Sequence, residues 1–352
     1  MGANENEKSP VIVTEPLSGI KDKENLLKPN FPETIISPDT IIREINQVRS
    51  ISVNGESKGS YSGNELLSRK IENIPTLVDP IFPAVGLVAI AGSSDTGKSS
   101  FLRQLAVSIV LGLPSFLGLQ LNTKYNKAIY VSTEDDDFAV SFLLNKANKK
   151  FGRLPSEYDG LTYIFDTENL LTTIDKKLSA APSDAFFIDA FTDLYGKSMN
   201  DSNQVRTFLN EYSQLAQKHS CLGVFLHHTG KRTEALEPSK HNLLGSQGFE
   251  AKMRMVAEIR TDPNDPAKRH LCIVKGNYLD KTHKSESYVL TFDENLLFTD
   301  TGERKPFDEL KSTSKLELKE AVINLKSQGK TQIEISQEMG ISQATVSRYL
   351  NS

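Results

Sequence analysis

From Pro75 onward, short apolar runs alternate with longer stretches of helical periodicity. Val88–Ala91, Ala128–Val131, Leu161–Phe165, Phe186–Asp189, Leu222–His227, Met253–Arg260 and His270–Lys275 are compact blocks of β-branched, aromatic or aliphatic residues, the pattern of buried strands. The intervals between them leave room for crossover helices. This alternation predicts an α/β domain with a mostly parallel sheet covered on both faces. Tyr288–Asp293 and Leu296–Thr299 follow each other too closely for a crossover, so an antiparallel pair at one edge is predicted.

Both ends of the chain break this pattern. Residues 1–70 are rich in Asn, Ser, Glu and Lys, with little periodic hydrophobicity beyond Ile35–Val48. They read as a flexible polar arm with one short helix over Thr40–Arg49, or alternatively as an oligomerisation segment. The alternating core fills 71–301, a Lys-, Ser- and Thr-rich stretch over 302–314 reads as a linker, and 315–352 has its own helical period. In this last part Thr331 and Glu334 form a capping box, Gly340 supplies a left-handed turn and Ser342 caps the next helix. Ile335, Met339, Val346 and Leu350 can close around Ile341, with Lys315–Gln328 as a preceding helix stopped at Gly329. The spacing is that of a helix-turn-helix and resembles those of resolvases and many bacterial regulators. As a reader of duplex DNA it would present Gln343 and Arg348 to bases or phosphates. The same packing also suits a small protein-interaction module.

With 352 residues and 38% hydrophobic content, the chain has material for one large core and a small appendage. A formal net charge of -4 excludes a blanket polyanion binder, so any nucleic-acid contact must come from local patches. The two cysteines, Cys221 and Cys272, sit in strand-like runs, and with six scattered histidines they make no zinc spacing. They read as core residues in a reducing compartment. No run reaches the roughly 18 apolar residues of a membrane span, and the polar, acidic start is unlike a signal peptide. A cytoplasmic protein without membrane contact is expected.

The chemistry begins at Gly92-Ser93-Ser94-Asp95-Thr96-Gly97-Lys98-Ser99-Ser100, between the apolar stretch Leu87–Ala91 and the amphipathic run Phe101–Val110. This is a G-x-x-x-x-G-K-[ST] phosphate loop in its required strand-to-helix setting. Backbone amides wrap the phosphates, Lys98 reaches the β- and γ-phosphates, and the Ser99 hydroxyl ligates Mg²⁺. ATP and Mg²⁺ are therefore the expected cofactors, and no N-K-x-D guanine-reading sequence occurs. Asp95 must point away from the phosphates or pair with a cation. Phe186–Asp189 has the Walker B form, with Asp189 holding Mg²⁺ directly or through water. Glu134 ends the strand after the phosphate-loop helix, where a carboxylate can orient and deprotonate the attacking water. Asp135 or Asp136 suits a helix cap instead, and Asp193 reads as a solvated loop carboxylate. Of His227 and His228 only one can face the phosphates, because successive strand residues point to opposite faces. His228 is the candidate phosphate sensor; a structural histidine is the other reading.

The order of these parts, with Phe225-Leu226-His227-His228-x-x-Lys231, then Gly245-Ser246 with Arg254, then Val274-Lys275-Gly276-Asn277-Tyr278, resembles the RepA-type hexameric plasmid replicative helicases. The resemblance spans Pro75 to Asp300 and implies a RecA-like P-loop NTPase fold. It implies an ATP site between subunits of a homo-oligomeric ring, hexameric in that family, with Glu134 activating water. It also implies that Arg254 is an arginine finger donated to the neighbouring subunit and Lys275 a second such cation. Taken by themselves, Arg254 and Lys275 fit solvated strand residues equally well. The loop after His228 carries Lys231, Arg232 and Lys240 and is placed to grip single-stranded backbone. The expectation is an ATP-hydrolysing motor on DNA, acting in replication, transfer or recombination. The alternative is an ATP-switched DNA-binding regulator that unwinds nothing. RepA-type helicases need not carry the arm or the C-terminal module found here.

Overall fold

The computed structural model describes residues 60–351, apart from 231, 232, 234, 235, 246, 264, 311–314 and the side chains of 315–317. The helix expected over Thr40–Arg49, the cations Lys231 and Arg232, and Ser246 lie outside the described residues. In chain order the elements begin with α1 (Gly63–Leu67), β1 (Thr76–Val78), β2 (Phe82–Pro83), β3 (Gly86–Gly92), α2 (Lys98–Val110), β4 (Ser115–Phe116) and β5 (Leu119–Gln120). There follow β6 (Ala128–Ser132), α3 (Asp137–Phe151), β7 (Leu161–Ile164), α4 (Leu170–Ala180), β8 (Ala185–Asp189), α5 (Phe191–Leu194) and α6 (Ser202–Lys218). The core closes with β9 (Leu222–His228), α7 (Gln247–Lys252), β10 (Met255–Thr261), β11 (Lys268–Gly276), β12 (Glu286–Phe292) and β13 (Phe298–Pro306).

Nine strands form one sheet in the order β13-β12-β11-β10-β3-β9-β8-β6-β7. Pairs from β10 to β7 are parallel, and those from β10 to β13 are antiparallel. Every residue of β3, β6 and β8 is buried, which is why these strands read as unbroken apolar runs. Val88, Ile90, Tyr130 and Phe187 pack with Phe101, Leu105 and Ile109 of α2 on one face. Leu87, Ala89, Ile129 and Phe186 pack with Ile174 of α4 and Leu209 and Tyr212 of α6 on the other. Cys221 and Cys272 are buried and form no disulfide.

Two stretches differ from expectation. The linker expected from residue 302 is instead strand as far as Pro306, followed by a 3-10 turn at Phe307–Leu310 whose Leu310 is buried. β13 is an edge strand, so its outer positions carry charge and no apolar run marks it. Arg304 lies over the Tyr288 ring at 4.0 Å. At the other end, residues 63–67 of the expected arm form α1, started by a Ser62/Glu65 capping box. Periodicity alone does not reveal so short a helix.

The C-terminal module comprises α8 (Lys315–Ser327), α9 (Gln332–Met339) and α10 (Gln343–Leu350). Thr331 and Glu334 cap α9 reciprocally, Gly340 ends it at φ 61°, and Ser342 caps α10. Val322, Ile335 and Val346 form the buried centre, with Met339, Ile341 and Leu350 packed against it.

Candidate functional site

The carboxyl ends of β3, β9, β8 and β6 are neighbours in the sheet, so one edge gathers the phosphate loop, the histidine pair, Asp189 and Glu134. β3 ends at Gly92, where a Cβ would lie 2.5 Å from the Ile259 carbonyl and 2.9 Å from Thr96 Oγ1. Only glycine admits the Ile259 carbonyl this close to the backbone. Gly97, at φ 89°, precedes α2 without a side-chain cap, leaving the first helical amides free for an anion. Lys98 is buried and donates to the Ser93 carbonyl at 2.6 Å, and Thr96 Oγ1 donates to the same oxygen at 3.0 Å. Burial lowers the Lys98 pKa, opposed by the charges of Glu134, Asp189 and Asp95. Ser94 and Asp95 are exposed. Asp95 takes the left-handed conformation, φ 63°, and its charge supports Lys98 from the outside of the loop.

Ser99 Oγ donates to Asp189 Oδ1 at 3.1 Å. The two oxygens thus stand together, and as hard oxygen ligands they would hold a Mg²⁺ ion. Among the described residues no group of three or more His, Cys, Asp or Glu could hold a metal, and a phosphate-bound Mg²⁺ needs none. Asp189 is buried, and burial raises its pKa against the pull of a Tyr130 hydrogen bond, the Arg103 charge and Ser99. Tyr130 donates from the adjacent strand at 2.6 Å to Oδ2. Sequence reasoning missed Tyr130, because a tyrosine in an apolar strand has no motif and matters here only through the pairing of β6 with β8.

Glu134 follows β6 with an exposed side chain, Oε1 lying 3.9 Å from His228 Nε2. Burial first, and the nearby Asp193 charge second, raise its pKa, with Lys98 opposing. Its neighbours serve elsewhere: Asp136 caps α3 by accepting from Ala139 N, and Asp135 pairs with Arg103 at 3.1 Å. Asp193 is exposed, as expected, yet it accepts from Thr133 Oγ1 at 2.7 Å and so stands beside Glu134.

The histidines divide as strand geometry requires. His227 is fully buried, stacked on Phe249 with centroids 4.2 Å apart, and its Nε2 meets the Leu244 carbonyl at 2.7 Å. Burial pulls its pKa down to about 4, so it is a neutral donor to Leu244. His228 faces Glu134 and the phosphate loop. Burial and then Lys98 keep it below the usual histidine range.

Arg254 lies at the opposite edge, and Lys275 stands level with the middle of β3, since its partner Val256 pairs with Ala89. Arg254 N donates to the Leu87 carbonyl near the start of β3, its guanidinium contacts Tyr278, and a Cβ on Gly86 would lie 2.9 Å from Arg254 Cδ. Lys275 pairs in register with Val256, and its Nζ lies 3.1 Å from Glu250 Oε1 and 2.7 Å from the Glu250 carbonyl. The structure therefore brings Lys98, Ser99, Glu134, Asp189 and His228 together and leaves Arg254 and Lys275 apart. In the C-terminal module Gln343 and Arg348 are exposed on α10.

The family model described as "AAA domain" matches residues 62–234. No curated protein sequence matches the chain. A solved structure, that of another protein's ATPase domain, is similar at 15% identity with a TM-score of 0.50, over 75% of this chain and 98% of that one. These matches concern a P-loop ATPase domain at large and not the RepA-type helicases in particular. Such a domain implies ATP as ligand and Mg²⁺ as its companion. Among the described residues no helix is long and apolar enough to cross a membrane. The chain has an α/β RecA-like P-loop fold with a mixed, mostly parallel sheet.

Proposed function

We propose that the chain hydrolyses ATP at a site shared between neighbouring subunits of a ring, in the manner of RepA-type helicases, and works on DNA. The observation that carries this reading is the separation of charges. Glu134, Lys98 and His228 converge on the phosphate loop, whereas Arg254 stands at the far edge of the same sheet. A cation there reaches a triphosphate only if that triphosphate belongs to another copy. Lys98 and the free amides of α2 hold the phosphates. Bound Mg²⁺ would supply charge to offset that of the phosphates. Ser99 and Asp189 would hold it, Tyr130 steadies Asp189, Glu134 takes the proton of the attacking water, and His228 senses the γ-phosphate.

The helix-turn-helix with exposed Gln343 and Arg348 supports duplex reading by α10, and Lys231, Arg232 and Lys240 suit sequence-blind contact with a single strand. The product is an ATP-driven motor directed to a DNA locus in replication, transfer or recombination, and its setting is cytoplasmic. The same module favours a second reading, a regulator whose oligomeric state ATP switches without unwinding. Mass measurement with and without a non-hydrolysable ATP analogue tests the ring, and strand displacement on a forked substrate separates motor from switch. A chain that stays monomeric at every nucleotide concentration refutes the shared site.

A further inference from the structure

β10 carries two buried charges that hydrolysis does not use. Glu258 and Arg260 share a face of the strand and pair at 2.7 Å, with side chains only 3% and 8% exposed. A buried ion pair gives back little net stability, so its remaining polar atoms indicate its role. All of them go to the segment between β9 and α7. Arg260 Nη2 donates to the Thr233 carbonyl at 2.6 Å, and Nη1 donates to the Leu236 carbonyl. Glu258 Oε2 accepts from Ser239 N and from Asn242 Nδ2, each at 3.2 Å. Two side chains of one strand thus anchor the segment at every third residue.

The anchoring strand touches the phosphate loop. β10 lies parallel to β3 with Glu258 opposite Ala91, and the Ile259 carbonyl, between the two charges, closes on Gly92. The segment's base returns to the same place. Thr229 N donates to the Gly92 carbonyl at 3.2 Å, Thr229 bridges Leu243, and Leu244 N donates to the His228 carbonyl at 2.9 Å.

We propose that Glu258 and Arg260 are positioning residues that clamp Thr233, Leu236, Ser239 and Asn242 to the strand beside Gly92. Occupancy of the nucleotide site then sets how that segment meets a single-stranded polyanion. The identity of the polyanion rests on the function proposed above; the clamp does not. A displacement of Gly92 by a bound triphosphate moves Ile259, the charges on either side of it, and the four anchored positions. Coupling of this kind requires a demonstrated response at both ends.

The test is amide hydrogen exchange of the full chain with and without a non-hydrolysable ATP analogue, together with turnover in the presence of oligothymidylate. In the wild type, nucleotide slows exchange in peptides covering 233–245. Arg260→Lys keeps a charge for Glu258 but cannot span two carbonyls with a planar fork. It should keep nucleotide binding and basal turnover while the nucleotide-dependent change in exchange and the stimulation by oligothymidylate each fall about tenfold. Asn242→Leu loosens the clamp from the other side and leaves the ion pair intact, so it carries the test if Arg260→Lys does not fold. Overturning results are a wild-type segment indifferent to nucleotide, or folded variants that respond as the wild type does. A wild type whose segment responds but whose turnover ignores oligothymidylate overturns the single-strand reading and leaves the clamp to the exchange data.

Discussion

Mixing two inactive variants tests the shared site directly, and the structure sets the yield. Lys98→Ala removes a charge from the phosphate edge of the sheet, and Arg254→Ala removes one from the opposite edge. Gly86 and Gly92 bound β3, and at roughly 3.3 Å per residue these ends are about 20 Å apart. Arg254 is pinned beside the first of them through Leu87, so no rotamer brings its guanidinium to Lys98 of its own chain. In a head-to-tail ring each interface takes Lys98 from one subunit and Arg254 from the next. Either variant alone spoils every interface, and loss of an arginine that stabilises the transferring phosphoryl group costs about 10³-fold or more in rate. In an equimolar random ring, about one interface in four joins an Arg254→Ala subunit, which keeps Lys98, to a Lys98→Ala subunit, which keeps Arg254. Phosphate release should therefore recover to about a quarter of the wild-type rate, some two orders of magnitude above either variant alone. Native mass measurement establishes that the rings are mixed. Mixed rings without gain would place Arg254 in its own subunit's chemistry or in structure alone.

Glu134→Gln should bind a fluorescent ATP analogue normally while phosphate release drops about a hundredfold or more; equal losses in binding and turnover remove the residue from water activation. Burial and then Asp193 hold the Glu134 carboxyl above the ordinary range, so the base is lost as pH falls through that raised value. Asp193→Asn removes one of the raising charges and should carry the acid limb of the pH–rate profile to lower pH, and an unmoved limb contradicts the pairing. Ile335→Ala empties part of the three-residue centre of the C-terminal module and should cost it about 2–5 kcal/mol. Exchange protection over α8–α10 should fall while the ATPase core melts as before; protection that persists means that these helices are held by something other than their own core.

The parts of the molecule that were legible in the sequence are those whose signal is local. The phosphate loop is contiguous, and its strand and helix flank it. The caps of α9 and α10 lie within four residues of the groups they satisfy. The central strands β3, β6 and β8 announce themselves because both faces of the sheet are covered there and every position is buried. β13 does not, since an edge strand exposed on one side can be as polar as a linker. Lys231 and Arg232, expected at a single strand, lie outside the described residues.

What sequence could not supply is the order in which these strand ends stand, because sheet order departs from chain order. β9 and β8 stand between β3 and β6, and only that insertion sets His228 and Asp189 between Lys98 and Glu134. Tyr130 acquires its role the same way: Ser132 pairs with Asp189 across β6 and β8, which turns an aromatic core residue into a donor for a buried carboxylate. Glu258 and Arg260 invert the usual inference. Alternating with Ala257 and Ile259, they have the period of a solvated strand face, yet both are buried because the segment after β9 folds over them. Period two says that one face of β10 is polar; it cannot say whether water or backbone meets that face. Here it is backbone, and a charge pair that solvent would have made ordinary becomes the attachment between the phosphate loop and the segment beyond His228.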